Sequence, residues 1–229
     1  IVIPAYNEEK SIGKVLRKLK RSGYHKIIVV DDWSKDRTSA ISNKQRVIVL
    51  KHIINRGLGG ALGTGIKAAV EENADVIVTF DSDGQHSVSD IKKVTTPILN
   101  GEADVVIGSR IINKKEHMPF YKKVGNFGLN MITFILYGVY CSDTQSGLRA
   151  FSKEAAQKLE IKSNGYEVSS EIIKEVGKNK FKLKEIPIKT IYTDYSIKRG
   201  TNLISGIRIL IKLSIDKFFR WYKWWVFYR

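Results

Sequence analysis

The densest chemistry in the chain is the run Asp81-Ser82-Asp83-Gly84-Gln85-His86, which follows directly on an apolar stretch at residues 76–80. Two carboxylates stand at spacing two, with an amide oxygen two further on. Hard divalent cations such as Mg²⁺ and Mn²⁺ take oxygen ligands, commonly one or two carboxylates, and leave the remaining positions to water and substrate phosphates. The spacing therefore predicts a metal set of Asp81, Asp83 and Gln85. The alternative is a polar turn leading into the helix that starts near Ser87. An oxygen-rich site does not call on His86.

Other loops carry related chemistry. In Pro4-Ala5-Tyr6-Asn7-Glu8-Glu9, Asn7 is suited to cap the next helix, Tyr6 can stack on a flat base, and Glu8 can accept from a ribose or base. Asp31-Asp32-Trp33-Ser34 sets two acids side by side, able to recognise base N–H groups or ribose hydroxyls, or else to form an Asx turn. Asn55-Arg56-Gly57-Leu58-Gly59-Gly60-Ala61 lacks the Gly-Lys-Ser/Thr ending of a P-loop, and Leu62 stands where a dinucleotide fingerprint needs its third glycine. Its glycines instead suggest a helix start packed closely beneath a nucleotide, with Arg56 against base or phosphate. Gly108-Ser109-Arg110 places a cation where a diphosphate would lie. The stretches 142–149 (Ser142-Asp143-Thr144-Gln145-Ser146-Gly147-Leu148-Arg149) and 196–202 (Ser196-Ile197-Lys198-Arg199-Gly200-Thr201-Asn202) mix small polar residues with cations, as phosphate-recognising loops do and ordinary solvated turns also do.

These loops follow apolar runs at residues 1–3, 27–30, 47–50, 76–80 and 105–107, each continuous rather than alternating, as in strands buried on both faces. Between them, 9–21, 57–72 and 87–99 are long enough for crossover helices, with Ile12, Val15, Leu16 and Leu19 on one face. The alternation predicts a mostly parallel α/β sheet, whose ligands sit beyond the carboxyl ends of the strands. After residue 110 the rhythm changes. Helices are predicted at 153–159 and 167–177, a strand at 183–192, and a last helix at 202–225 with an Ile204, Ile207, Ile211, Ile215, Phe218 stripe beside Arg208, Lys212 and Arg220.

Composition sets outer limits. The 229 residues are 43% hydrophobic and 27% charged, enough to bury a full core. The lone Cys141 excludes an intrachain disulfide and a Cys-rich zinc site, and fits a reducing compartment. The chain shows no signal-peptide pattern and opens on Ile1-Val2-Ile3 as though within a strand. The net charge is +16, and residues 178–229 hold 13 basic and 3 acidic residues, a local net of +10 suited to nucleic acid, an anionic membrane or a polyanionic substrate. The charge-free stretch 124–142 is diluted by Gly125, Asn126, Gly128 and Asn130, and its dense apolar part is short of the roughly 20 residues of a membrane span. Residues 218–229 hold 8 aromatics in 12 positions, including Trp221, Trp224 and Trp225, as a helix lying in the headgroup layer does. A helix packed on the domain or in a dimer interface has the same composition.

Taken in order, Asn7-Glu8-Glu9, Asp31-Asp32-x-Ser34, Asn55-x-Gly57-x-Gly59, Asp81-x-Asp83-x-Gln85, Gly108-Ser109-Arg110 and Asp143-x-x-Ser146-Gly147-x-Arg149 resemble family 2 glycosyltransferases, specifically the polyprenyl-phosphate (dolichol-phosphate) sugar synthases. The resemblance implies a GT-A fold, with a nucleotide-binding half at 1–110, an acceptor half at 111–201 and a basic, aromatic interfacial helix at 202–229. It implies inverting transfer from a nucleotide-sugar to a lipid phosphate at the cytoplasmic face of a membrane, with Mg²⁺ or Mn²⁺ as cofactor. Pro4, Ala5, Tyr6, Glu8, Asp32, Arg56, Asp81, Ser82 and Asp83 would bind the donor. Asp83 and Gln85 would hold the metal with Asp81 close by, and Arg110 would stabilise the leaving diphosphate. Ser146, Arg149, Lys198 and Arg199 would meet the acceptor phosphate, and Asp83, Arg110 and Arg149 would be catalytic. A phosphate acceptor is already nucleophilic at neutral pH, so no essential general base is expected. Trp33 stands where the family's turn usually has glycine, and Ile197 replaces an arginine of the mannosyl synthases, which favours a UDP-linked N-acetylglucosamine or glucose over GDP-mannose. Three rivals share part of this pattern. A glycan-extending family 2 enzyme is nearest. A nucleotidyltransferase would need an N-terminal glycine-rich loop that is absent. A single-strand nucleic-acid binder would meet repulsion from the acidic strand end, so no nucleic-acid partner is expected. The oligomeric state is left open.

Overall fold

The computed structural model describes residues 1–112 and 120–191. The apolar runs form β1 (Val2–Ala5), β2 (Ile28–Asp31), β3 (Ile48–Lys51), β4 (Val76–Thr79) and β5 (Val105–Ser109), followed by β6 (Arg149–Ser152) and β7 (Leu183–Pro187). Helices α1 (Ile12–Arg21), α2 (Thr38–Lys44), α3 (Gly57–Glu71), α4 (Ser89–Leu99), α5 (Phe120–Tyr137), α6 (Lys153–Lys158) and α7 (Val168–Asn179) connect them. The seven strands pair in the order β3-β2-β1-β4-β6-β5-β7. All neighbours are parallel except β6, which runs antiparallel to both β4 and β5.

Continuous apolar runs are what a doubly covered sheet needs, because successive residues point to opposite faces. Ile3, Val29, Val78, Val106 and Ala150 pack with Ile12, Leu16, Leu19, Ile91 and Val94 of α1 and α4. Their neighbours Val2, Ile28, Val30, Ile77, Val105 and Phe151 pack on the other side with Ile66, Ala155, Ile172 and Val176 of α3, α6 and α7. The result is a helix–sheet–helix sandwich. Helix α3 comes so close to β1 that a Cβ on Gly65 would lie 2.3 Å from Val2 Cγ1.

Four elements differ from expectation. Strand β6 emerges from the end of a stretch read as loop, and it inserts between β4 and β5, so the two halves share one sheet. Helix α2 is seven mostly polar residues without apolar periodicity, and the diluted 124–142 stretch lies largely in helix α5. The strand expected at 183–192 ends at Pro187; Ile188 is buried and Thr190 bridges to His86. The helix expected at 202–225, the 196–202 loop with Lys198 and Arg199, and Tyr192 lie outside the described residues. Among the described residues no helix is long and apolar enough to cross a membrane.

Reversal of β6 has a functional consequence. Its first residue, Arg149, pairs with Thr79 of β4 and Ile107 of β5. The chain before β6 therefore reaches the sheet at the edge where β1, β2, β4 and β5 end, and the loops after those strands share that edge with the 142–149 loop.

Candidate active site

At the end of β4, Asp81 Oδ2 lies 2.9 Å from His86 Nε2, and His86 is buried with its ring edge-on to Phe80. Thr79 Oγ1 donates to the Gly147 carbonyl at 2.8 Å. That bond brings the 142–149 loop so near that a Cβ on Gly147 would sit 2.1 Å from Asp81 Oδ2. Asp83 accepts from the Gln85 backbone N–H at 2.9 Å and from the Gln85 side-chain amide.

The two carboxylates titrate in opposite directions. Desolvation pushes Asp81 up, but the His86 hydrogen bond and the electrostatic pull of His86, Arg149 and Arg110 outweigh it and hold the carboxyl below its ordinary value. Burial and then the neighbouring Asp81 charge push Asp83 up to about 6. Asp83, unlike Asp81, is held above its ordinary value, and a divalent oxygen-seeking cation would supply it with the counter-charge that favours its ionised form. Among the described residues no three His, Cys, Asp or Glu side chains are grouped to hold a metal. A cation here would rest on Asp81, Asp83, the Gln85 amide oxygen after half a turn of that amide, and the substrate's own oxygens. That donor set fits Mg²⁺ or Mn²⁺ bound together with a phosphorylated ligand better than an ion held by protein alone.

Arg110, just past β5, is clamped by Asp143: its backbone N–H and Nε donate to Asp143 Oδ2 at 2.9 and 2.8 Å, and Nη2 donates to Oδ1 at 2.7 Å. This fork-to-fork geometry fixes the guanidinium at the sheet edge. Sequence reasoning missed the groups that fix Asp143's loop. Glu185 of β7 accepts from the Ser142 N–H at 2.9 Å and from Ser142 Oγ at 2.6 Å. Asn130 of α5 takes the Thr144 N–H and hydroxyl on its oxygen, at 3.1 and 2.7 Å, and donates to the Ser142 carbonyl. A single acid in a strand and a single amide in a helix give no signal in sequence.

Arg149 is more deeply placed than a surface phosphate-binding loop would suggest. It is 1% exposed, with Nη2 donating to the Thr144 carbonyl at 3.1 Å and to Ser169 Oγ at 2.8 Å. Burial lowers its pKa to about 10 against the opposing pull of Asp81. It therefore lies buried behind the end of β4, near enough for its charge to bear on Asp81. Ser146 is fully buried too. Among the described residues the buried atoms Arg149 Nε, Ser146 Oγ and His86 Nδ1 find no hydrogen-bond partner. Native interiors seldom leave such groups unpaired unless water or ligand completes them.

On the other side of β1, Tyr6 is exposed just after the strand, while Pro4 and Ala5 are buried within it. Asn7 does not cap α1. It adopts φ 54°, its N–H donates to Ser34 Oγ and its Oδ1 accepts from the Lys35 N–H, so it ties the first loop to the second. Glu8 is buried and its carboxylate accepts from Ser11 Oγ, while its N–H donates to Thr38 Oγ1 at 2.7 Å. Asp31 and Asp32 are buried as well. Asp31 Oδ1 accepts from the Ser34 N–H at 2.9 Å. Asp32 accepts from the backbone N–H groups of Arg56 and Gly57 at 2.8 and 2.7 Å, and lies 2.7 Å from His52 Nδ1. Asp32 thus anchors the start of α3, a task its sequence setting did not reveal. Trp33 has φ 66°, the left-handed region that explains the family's glycine there. Lys35 Nζ lies 3.3 Å above its ring. Gly57 and Gly59 admit the backbone of residues 163–165: Gly59 N–H donates to the Asn164 carbonyl at 2.9 Å, and a Cβ on Gly59 would lie 2.0 Å from the Ser163 carbonyl. Their close approach is to protein rather than to a nucleotide. Arg56 is exposed at the head of α3 and Ser82 is buried between the two acids.

An α/β sandwich that gathers an acidic strand end, an exposed tyrosine and a clamped arginine at one sheet edge is a nucleotide-sugar transferase in outline. The model of glycosyl transferase family 2 matches residues 1–160, and the chain belongs to that family. It is 48% identical over 238 residues, 95% of each chain, to the UDP-N-acetylglucosamine–dolichyl-phosphate N-acetylglucosaminyltransferase of Methanococcus voltae. It is 56% identical over 223 residues to an uncharacterized protein of Methanocaldococcus jannaschii, covering 96% of this chain and 92% of that one. The fold is that of glucosyl-3-phosphoglycerate synthase from Mycobacterium tuberculosis, solved with Mn²⁺ and UDP-glucose. The TM-score is 0.68 and the identity 20%, over 94% of this chain and 77% of that one. That likeness carries the GT-A fold.

Proposed function

We propose that this glycosyltransferase moves a sugar, with inversion, from a UDP-sugar to a polyprenyl (dolichyl) phosphate at the cytoplasmic face of a membrane, and that N-acetylglucosamine is the sugar. The carrying observation is the acidic end of β4, where Asp81 is pressed against the Gly147 loop and Asp83 stands two residues on beside Gln85. The named activity of the Methanococcus voltae relative supports the donor and the acceptor.

In this reading Tyr6 stacks on the base and Arg56 borders the nucleotide. Asp81, Asp83 and Gln85 hold Mg²⁺ or Mn²⁺, which when bound supplies Lewis-acid neutralisation of the diphosphate. Arg110, already oriented by Asp143, adds charge stabilisation to the leaving group without reorganising. The acceptor phosphate attacks the anomeric carbon directly, and a monoester with a second pKa of about 6 needs no carboxylate to deprotonate it. Arg149, from below, keeps the Asp81 carboxylate ionised and adds positive field to the acceptor side with Ser146. Lys198 and Arg199 screen the incoming phosphate, and residues 202–229 rest on the lipid. The halves 1–110 and 111–201 divide donor from acceptor recognition across the shared sheet.

The test is incubation with radiolabelled UDP-N-acetylglucosamine, Mn²⁺ and polyprenyl phosphate. Label is expected in an organic-extractable, acid-labile lipid. Label appearing only in a water-soluble glycan would overturn the lipid acceptor, and label transferred from GDP-mannose alone would overturn the donor.

A further inference from the structure

The turn that follows β2 holds a residue that its backbone does not favour. Trp33 sits at φ 66°, where a bulky L side chain is strained and glycine is not. The turn itself imposes the conformation. Asp32 N–H donates to the Ala5 carbonyl and Trp33 N–H to the Asp31 carbonyl, both at 2.9 Å, and Ser34 N–H donates to Asp31 Oδ1 at 2.9 Å. Packing does not offset the strain: Asp32 and Ser34 on either side are buried, but Trp33 itself is 38% exposed. A large ring held in a strained, half-solvated position is a feature of ligand sites, where the compensating contact comes with the ligand.

The surroundings of the ring point to the class of ligand. Strand β2 lies between β1 and β3, and its turn is tied to the loops that follow both. On one side Asn7 N–H donates to Ser34 Oγ at 2.9 Å, and Lys35 N–H to Asn7 Oδ1 at 2.8 Å. On the other, Asn55 Nδ2 donates to the Asp32 carbonyl at 3.1 Å, and Arg56 N–H to Asp32 Oδ1 at 2.8 Å. Trp33 therefore stands between the loop of Tyr6, which is also exposed, and the loop of Arg56, at the carboxyl edge where such sheets bind ligands. Lys35 Nζ, 3.3 Å from the ring centroid, takes up one face of the indole and leaves the other for a flat ligand. The charged run Lys35-Asp36-Arg37 beside the ring disfavours an apolar partner. A nucleobase suits two aromatic residues and neighbouring cations, because every base has a π-face to stack.

We infer that Trp33 is a second aromatic contact for the donor's base, beside Tyr6, with the indole face away from Lys35 receiving it. The inference rests on the proposed nucleotide-sugar donor. The test is calorimetric titration of UDP and GDP into the full chain and its Trp33→Gly, Trp33→Asn and Trp33→Phe variants, with and without Mn²⁺, alongside donor KM, kcat and Tm. Glycine and asparagine both accept a left-handed backbone, so the Tm of those two variants is expected at or above the parent's. Their UDP affinity is expected to fall about tenfold. The factor is expected to be the same with and without Mn²⁺, because β2 lies two strands from β4 and distant effects add. Donor KM is expected to rise in parallel while kcat stays within about twofold. Trp33→Phe keeps a ring and is expected to hold affinity within about threefold of the parent. Unchanged UDP affinity in Trp33→Gly and Trp33→Asn would overturn the inference while leaving the donor reading intact. A clear loss of Tm alongside the lost affinity would also overturn it, since the ring would then serve the fold. So would an affinity in Trp33→Phe as low as in Trp33→Gly. If the parent bound neither UDP nor GDP, the donor reading would fall and the inference with it.

Discussion

Asp83 trades stability for function. Its folded-state pKa of about 6 lies above the ordinary carboxylate value, so the stability it lends is present in acid and is lost as the pH rises through about 6. Asp83→Asn removes that loss. In EDTA its Tm is expected to exceed the parent's above pH 6 and to converge with it below about pH 4, the unfolded carboxylate range. Transfer activity is expected to fall by about 10²–10³-fold. A lower Tm at neutral pH, followed by thermal denaturation, would show that the pair is not repelling. Cys141 behaves oppositely to a reactive thiol. Burial first, and then the Glu185 carboxylate, push its pKa far up, so it remains a protonated thiol throughout the neutral range. Alkylating reagents at pH 8 are expected to leave native protein unmodified by mass spectrometry and to modify it fully in denaturant.

At the scale of elements, Gly147 is the joint between β4 and the loop before β6. Gly147→Ala would thrust a methyl into the Asp81 carboxylate, which is a movable side chain, so the fold survives and the metal set shifts. The expected result is a loss of about 10²-fold in kcat with a nearly unchanged Tm, because small misplacements of reacting groups cost that much. Equal kcat would remove Gly147 from the site. The sequence made β1 to β5 and their three long crossover helices legible, since buried parallel strands advertise themselves as unbroken apolar runs. It hid β6, whose four residues start on an arginine, because an antiparallel insertion between β4 and β5 is a tertiary event with no local pattern. It hid α2 for want of an apolar face. Of the candidate site, the position of Asp81, Asp83 and Arg110 just past their strands was legible. Asp32 and Arg149 were legible as residues but not in their tasks, because burial and backbone partners decide those tasks. Glu185, Asn130 and His52 act through partners far along the chain, where no spacing rule reaches.

At the scale of the whole molecule, the parts form one arrangement. A sheet with one reversed strand gathers its acidic, aromatic and basic loops on a single edge. The account stands on the acidic end of β4 gripping a cation together with a nucleoside diphosphate. Calorimetric titration of UDP into parent and Asp83→Asn proteins, each with and without Mn²⁺, tests it most directly. The parent is expected to bind UDP at least tenfold more tightly with Mn²⁺, a gain of about 1.4 kcal/mol or more, and Asp83→Asn is expected to show no such gain. Equal affinity for UDP in the parent with and without Mn²⁺, or an undiminished Mn²⁺ effect in Asp83→Asn, would contradict it.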